Sequence, residues 1–131
     1  GKVVFDGIVA LAKACLAAGI PVGLGTDTGC PFITHYDMWR ELCYFVKFCG
    51  VTPAFALHSA TLLNARLAGI DHLTGSVEKG KVADLIVCEK NPLEDLTALR
   101  KLDMVIKDGW RIDHPAVKKL PQVERELDKF L

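Results

Sequence analysis

Apolar residues fall on almost every face of the stretch from Val3 to Ala18, which is rich in good helix formers and closed by Gly19. That pattern predicts a largely buried helix with Gly19 at its C′ position. Ile20-Pro21-Val22-Gly23-Leu24 follows as a short apolar run suited to a fully buried strand, with Pro21 at its first position. The run ends in Gly25-Thr26-Asp27-Thr28-Gly29, a turn-rich stretch that carries one charge. A loop from Cys30 to Tyr36 leads to a second helix of roughly Asp37 to Cys49, with Asp37 as N-cap and Gly50 as stop. Thr52-Pro53 restarts a helix, and Thr61 starts another short one that Gly69 ends.

The pattern then changes from helical to punctuated. Gly75 to Lys81 is a glycine-rich turn region, and Ala83 to Cys88 is a strand candidate. Asn91-Pro92-Leu93 turns the chain into a short helix, Glu94 to Arg100. Asp103 to Lys107 is another strand, turned by Asp108-Gly109 into Trp110-Arg111-Ile112, a hairpin signal. After Pro115 the charged tail reads as an amphipathic helix with Val117, Leu120, Val123, Leu127 and Phe130 on its apolar side. No internal repeat or low-complexity stretch is present.

Composition sharpens this division. The 131 residues suffice for one small domain, and 16 basic residues balance 16 acidic ones. Without a basic excess, binding to nucleic acid through phosphate neutralisation is not expected. No 18-residue apolar run is present, so a membrane span is not expected, and no signal peptide is visible. The charges are uneven: residues 1–69 carry 9 of them and residues 70–131 carry 23. A free-standing half-domain has much surface for its volume and needs more charge than the first segment offers. That segment therefore reads as part of something larger. The chain also begins with Gly1 and not Met, so its natural start is expected elsewhere. Five cysteines, odd in number and widely spaced, read as reduced thiols of a cytoplasmic protein.

Asp27 is the leading site candidate. A carboxylate at the carboxyl end of a buried strand, flanked by Gly25 and Gly29, stands where ligands bind in strand–helix proteins. The bland alternative is a loop cap or a pair with a buried Arg. A phosphate loop over Gly23–Gly29 is disfavoured, because a proline loop and not a helix follows Gly29. Cys30 and His35 share the loop beyond Asp27; a metal or thiol–imidazole site there lacks a fourth partner. Cys30 reads as a loop thiol, whereas His35 is a substrate-side candidate because its loop would overhang Asp27. His58, His72 and His114 read as structural or solvated, and Trp39, Tyr44, Phe45 and Phe48 as core.

These segments, taken in order, resemble the C-terminal part of the metal-dependent amidohydrolase superfamily. Gly25-Thr26-Asp27-Thr28-Gly29-Cys30-Pro31-Phe32-Ile33-Thr34-His35 resembles the loop after the last barrel strand. Thr52 through Ala56, Ser59-Ala60-Thr61 and Asn64-Ala65 to Gly69 resemble the helices that follow. Gly75 to Val87 resembles the return into a small β-domain, which Asn91-Pro92-Leu93 and Val105 to Gly109 complete. The match covers about residues 15–113 and looks closest to the imidazolonepropionase and prolidase-like branch.

The resemblance implies an α/β fold: the last strand and following helices of a (β/α)8 barrel over 1–69, strands of a small β-sandwich over 70–113, and a helical tail over 114–131. It implies Ile20–Gly25 as the eighth strand and Asp27 as a ligand of a divalent metal, expected to be zinc, and as acid and base. A metal lowers the pKa of bound water, and a carboxylate beside it can take the proton and pass it to a departing nitrogen. The family's His-x-His, its strand-four lysine or glutamate and its later histidines have no counterpart here. The chain is therefore expected to be inactive alone and not to hold zinc tightly. The implied parent hydrolyses a carbon–nitrogen bond in a small-molecule or dipeptide-like amide or a cyclic amide. A ring deaminase, or a non-catalytic module paired with a partner chain, stands as the alternative. The apolar first half further predicts a homo-oligomer or contact with the missing barrel.

Overall fold

The helix-forming stretch at the start becomes α1 (Lys2–Ala17) in the computed structural model, which describes residues 1–31 and 33–131. Gly19, at φ 73°, ends it as a Schellman turn: Gly19 N donates to Leu16 O and Ile20 N to Cys15 O. The expected burial of this helix is not found. None of its residues is buried, and Val3 and Leu11 are 85% and 66% exposed. Its one aromatic anchor is Phe5, whose ring meets Phe48 edge-on at 4.9 Å.

The expected strand over Ile20–Gly25 is also corrected. The segment is extended, but among the described residues no strand lies beside it, and a ladder needs a neighbour to accept its hydrogen bonds. Asn64 serves in place of that neighbour: its Oδ1 accepts from Leu24 N at 3.0 Å and its Nδ2 donates to Leu24 O at 2.8 Å. A Cβ on Gly23 would overlap Asn64 Oδ1, so this close pairing requires glycine there.

Helix α2 (Met38–Cys49) turns Trp39, Arg40, Leu42 and Phe45 inward and ends at Gly50, φ 76°. Asp37 precedes it, but its side chain caps nothing and is used elsewhere. Thr52 caps α3 (Pro53–His58) by accepting from Phe55 N at 3.1 Å. No new helix starts at Thr61. The chain instead runs through a π-helical turn, Ser59–Leu63, into α4 (Asn64–Leu67) without a break, and Gly69 at φ 72° ends it. The core forms where Leu42 and Phe45 of α2 meet Ala56 of α3 and Leu96.

The second half forms an antiparallel sheet in the order β1-β2-β3: β1 (Leu85–Val87), β2 (Met104–Lys107) and β3 (Trp110–Asp113). Ile86 faces Val105, and Lys107 faces Trp110 across a turn whose Asp108 and Gly109 both have positive φ, as a two-residue type I′ hairpin requires. Asp84 ties β1 to that turn, accepting from Asp108 N at 2.8 Å and from Lys107 Nζ at 3.1 Å. Between β1 and β2 the expected helix is a 3₁₀ segment, Leu96–Arg100, capped by Asp95. The tail is helical only over α5 (Pro121–Asp128), and its one buried residue is Glu124. Leu120 and Phe130, of the expected apolar stripe, are exposed.

Gly75 joins the helical part to the sheet. It has φ 93°, and a Cβ there would lie 2.5 Å from Ala65 Cβ, 3.1 Å from Leu62 Cα and 3.2 Å from Thr61 O. Gly75→Ala therefore combines backbone strain with a clash against atoms that cannot swing away. It is expected to destabilise the protein by about 2–4 kcal/mol, read as a lower urea midpoint at unchanged slope.

Candidate active site

Asp27 follows the segment that Asn64 clamps at Leu24. It adopts φ 51°, a left-handed conformation that few residues other than glycine, asparagine and aspartate accept. Its carboxylate is exposed. Cys30 donates its thiol to Asp27 Oδ2 at 3.5 Å, and Cys30 N donates to Asp27 O at 3.4 Å, which closes the turn. The hydrogen bond to Asp27, followed by its negative charge, pushes the Cys30 thiol above its ordinary pKa, so the neutral thiol is the resting form. Thr26 and Thr28 share a hydroxyl hydrogen bond of 2.7 Å across Asp27. Among the described residues the next helix after Gly29 starts only at Met38, so no helix N-terminus follows the glycines as a phosphate loop requires.

His35 lies in the following loop, exposed, with its ring edge-on to Tyr36 at 5.2 Å. Phe32, of the same motif, lies outside the described residues. Cys30 contacts Asp27, and no contact joins His35 to either among the described residues. His58, His72 and His114 are exposed. Trp39 and Phe45 are buried, while Tyr44 and Phe48 are half-buried.

Behind the loop lies a charged cluster that no local sequence signal announces. Arg40, 2% exposed, sends Nη2 to Glu124 Oε2 at 3.2 Å and to Asp128 Oδ1 at 2.7 Å, with Nε 3.5 Å from Asp37 Oδ2. Arg100 reaches the same two α5 carboxylates at 3.3 and 2.9 Å. Both guanidinium groups lie over the Trp39 ring, 4.5 and 5.4 Å from its centre.

Thr34 Oγ1 and Trp39 Nε1 donate to Asp37 at 2.6 and 3.0 Å. Burial pushes the Asp37 carboxyl up, but hydrogen bonds from Thr34, Glu124 and Trp39 and the Arg40 charge outweigh it and hold it below the usual range. Burial and the neighbouring Asp37 push Glu124 the other way. Glu41 is raised by burial and lines a cavity of about 110 Å³ shared with Thr26, Thr34, Arg40 and Tyr44.

Asp27 offers one carboxylate, and its neighbour Cys30 one protonated thiol. A catalytic zinc site takes three protein ligands. Among the described residues no group of three or more His, Cys, Asp or Glu side chains could hold a metal. These residues alone do not fit a resident metal ion.

Residues 3–111 match the Amidohydrolase family. The chain belongs to that family. It resembles a candidate prolidase from Bifidobacterium longum, with a TM-score of 0.90 and 43% identity over 93% of this chain and 30% of that one. A Xaa-Pro dipeptidase with bound methionine in its active site matches at a TM-score of 0.74 and 37% identity, over 81% of this chain and 25% of that one. The imidazolonepropionase of Geobacillus kaustophilus is 36% identical over 76 residues, 58% of this chain and 18% of that protein. The chain thus spans less than a third of each of these relatives. Its fold is a mixture of helix and strand, with amidohydrolase-fold neighbours. Among the described residues no helix is long and apolar enough to cross a membrane.

Proposed function

We propose that this chain is the C-terminal part of a cytoplasmic, metal-dependent hydrolase of carbon–nitrogen bonds, acting on a dipeptide-like or cyclic amide. In this reading 1–69 end the (β/α)8 barrel, 70–113 belong to the small β-domain and 114–131 are a helical tail. The observation that carries it is Asp27: an exposed carboxylate in a strained turn, at the end of an apolar extended segment held by Asn64, in a chain of this family.

Asp27 takes a proton from the attacking water as its oxygen bonds to the amide carbon, and returns it to the nitrogen as the carbon–nitrogen bond breaks. The carboxylate ends as it began. The resemblance implies that Asp27 is also one ligand of a zinc ion whose remaining ligands lie outside this chain. The exposed apolar face of α1, with Val3, Val4, Ile8 and Leu11, then packs against the rest of the barrel or a second subunit.

Release of free amino acid from a dipeptide panel by the full-length protein, beside ammonia release from heterocyclic amines, tests this reading. Dipeptide or cyclic-amide hydrolysis supports it, ammonia alone makes the parent a ring deaminase, and neither returns the chain to the class of non-catalytic partner modules. His35 is proposed to touch substrate. His35→Ala is expected to raise KM about three- to tenfold with kcat within twofold; an unchanged KM returns it to the solvated class.

A further inference from the structure

Tyr36 stands between His35 and the end of the chain. Its ring and the His35 imidazole form a T-shaped pair, centroids 5.2 Å apart at an interplanar angle of 81°. Its hydroxyl accepts a hydrogen bond from Leu120 N at 3.0 Å, across 84 positions of sequence. Leu120 is the N-cap position of α5, so the bond lands where the tail becomes helical. The Lys119 ammonium lies 5.9 Å from the centre of the same ring.

Helix α5 is in turn fixed to α2. Arg40 bonds Glu124 and Asp128, Tyr44 Oη donates to Leu127 O at 3.5 Å, and Lys47 Nζ donates to Phe130 O and Leu131 O at 2.8 and 2.9 Å. Directly after Tyr36, Asp37 holds Thr34 and pairs with Arg40. The loop that carries His35 is therefore fastened at Tyr36 and Asp37 to one charged, tail-bearing unit. Among the described residues its own backbone bonds include Ile33 N to Cys30 O at 3.1 Å and Asp37 N to Thr34 O at 3.5 Å.

We infer that Tyr36 is a positioning residue: by tying the His35 loop to the C-terminal helix it fixes where the His35 imidazole can reach, so the tail of the chain sets substrate affinity. The consequence for affinity rests on the proposed role of His35; the tether does not. A side chain aims a partner only as well as its own support is held, and here that support is a hydrogen bond to a helix start.

Tyr36→Phe in the full-length protein removes the hydroxyl acceptor and leaves the ring. Amide exchange over residues 33–37 is expected to rise about tenfold while α2 amides and the urea midpoint stay put. KM for the best dipeptide is expected to rise about fivefold with kcat within twofold. Tyr36→Leu, which also removes the ring, is expected to raise KM further. Unchanged exchange overturns the inference, as does a fall in kcat at constant KM. If the wild-type protein hydrolyses no amide, exchange alone decides: a tenfold rise upholds the tether and the failure falls on the functional reading.

Discussion

Asp27→Asn in the full-length protein is expected to lower kcat by about 10³-fold or more while leaving KM within threefold. Asparagine keeps the size of the side chain and tolerates the left-handed backbone that Asp27 adopts at φ 51°. What it loses is the ability to take a proton from water and return it to the leaving nitrogen. The loss therefore falls on the chemical step and not on binding. Steady-state kinetics with a dipeptide substrate measure it, and a variant retaining a tenth of wild-type kcat would remove Asp27 from the acid–base role. A KM that rises in step with the fall in kcat/KM would point instead to a binding carboxylate.

The largest structural effect is expected at Arg40. Arg40→Met leaves Asp37, Glu124 and Asp128 around a site that Arg100 alone then neutralises from one side. Breaking a buried ion pair by removing one partner costs about 3–5 kcal/mol, because the remaining charges stay out of water. The guanidinium also lies over Trp39, so part of the loss is stacking. Urea unfolding followed by tryptophan fluorescence in a Trp110→Phe background is expected to show that loss, with α5 released first. A change below about 1 kcal/mol would mean that the cluster is solvated in solution and worth no more than a surface pair.

The contrast between Asp27 and Arg40 separates what is legible in this sequence from what is not. Signals that act within a few residues survive into the structure. Gly19, Gly50 and Gly69 end helices in left-handed turns, Thr52 caps α3, and Asp108-Gly109 turns the hairpin. Asp27 is visible in the same local way, as a charge at the end of an apolar run, and its role is proposed from that position. The Arg40 cluster joins residues 84 positions apart, and Asn64 reaches Leu24 across 40, so neither has a local mark.

Two expectations failed for a related reason. A strand at Ile20–Gly25 and burial of α1 both require neighbours on the far side, which the described residues do not provide. In α5 the apolar stripe suggests which face is buried, but the α2 surface offers Arg40, and Glu124 is drawn inward. Short motifs in a fixed order carry the family resemblance, and the match over residues 3–111 agrees with it.

The coding sequence directly upstream of Gly1 tests the central claim most directly. An open frame of about 250 further residues, the length of a barrel, with an early His-x-His and two later histidines, is the predicted result. It would supply the metal ligands that Asp27 lacks here and the barrel surface for α1. A start codon at or just before Gly1 would contradict the account: Asp27 would then have no metal site to complete, and the exposed α1 face would have to meet a separate partner chain.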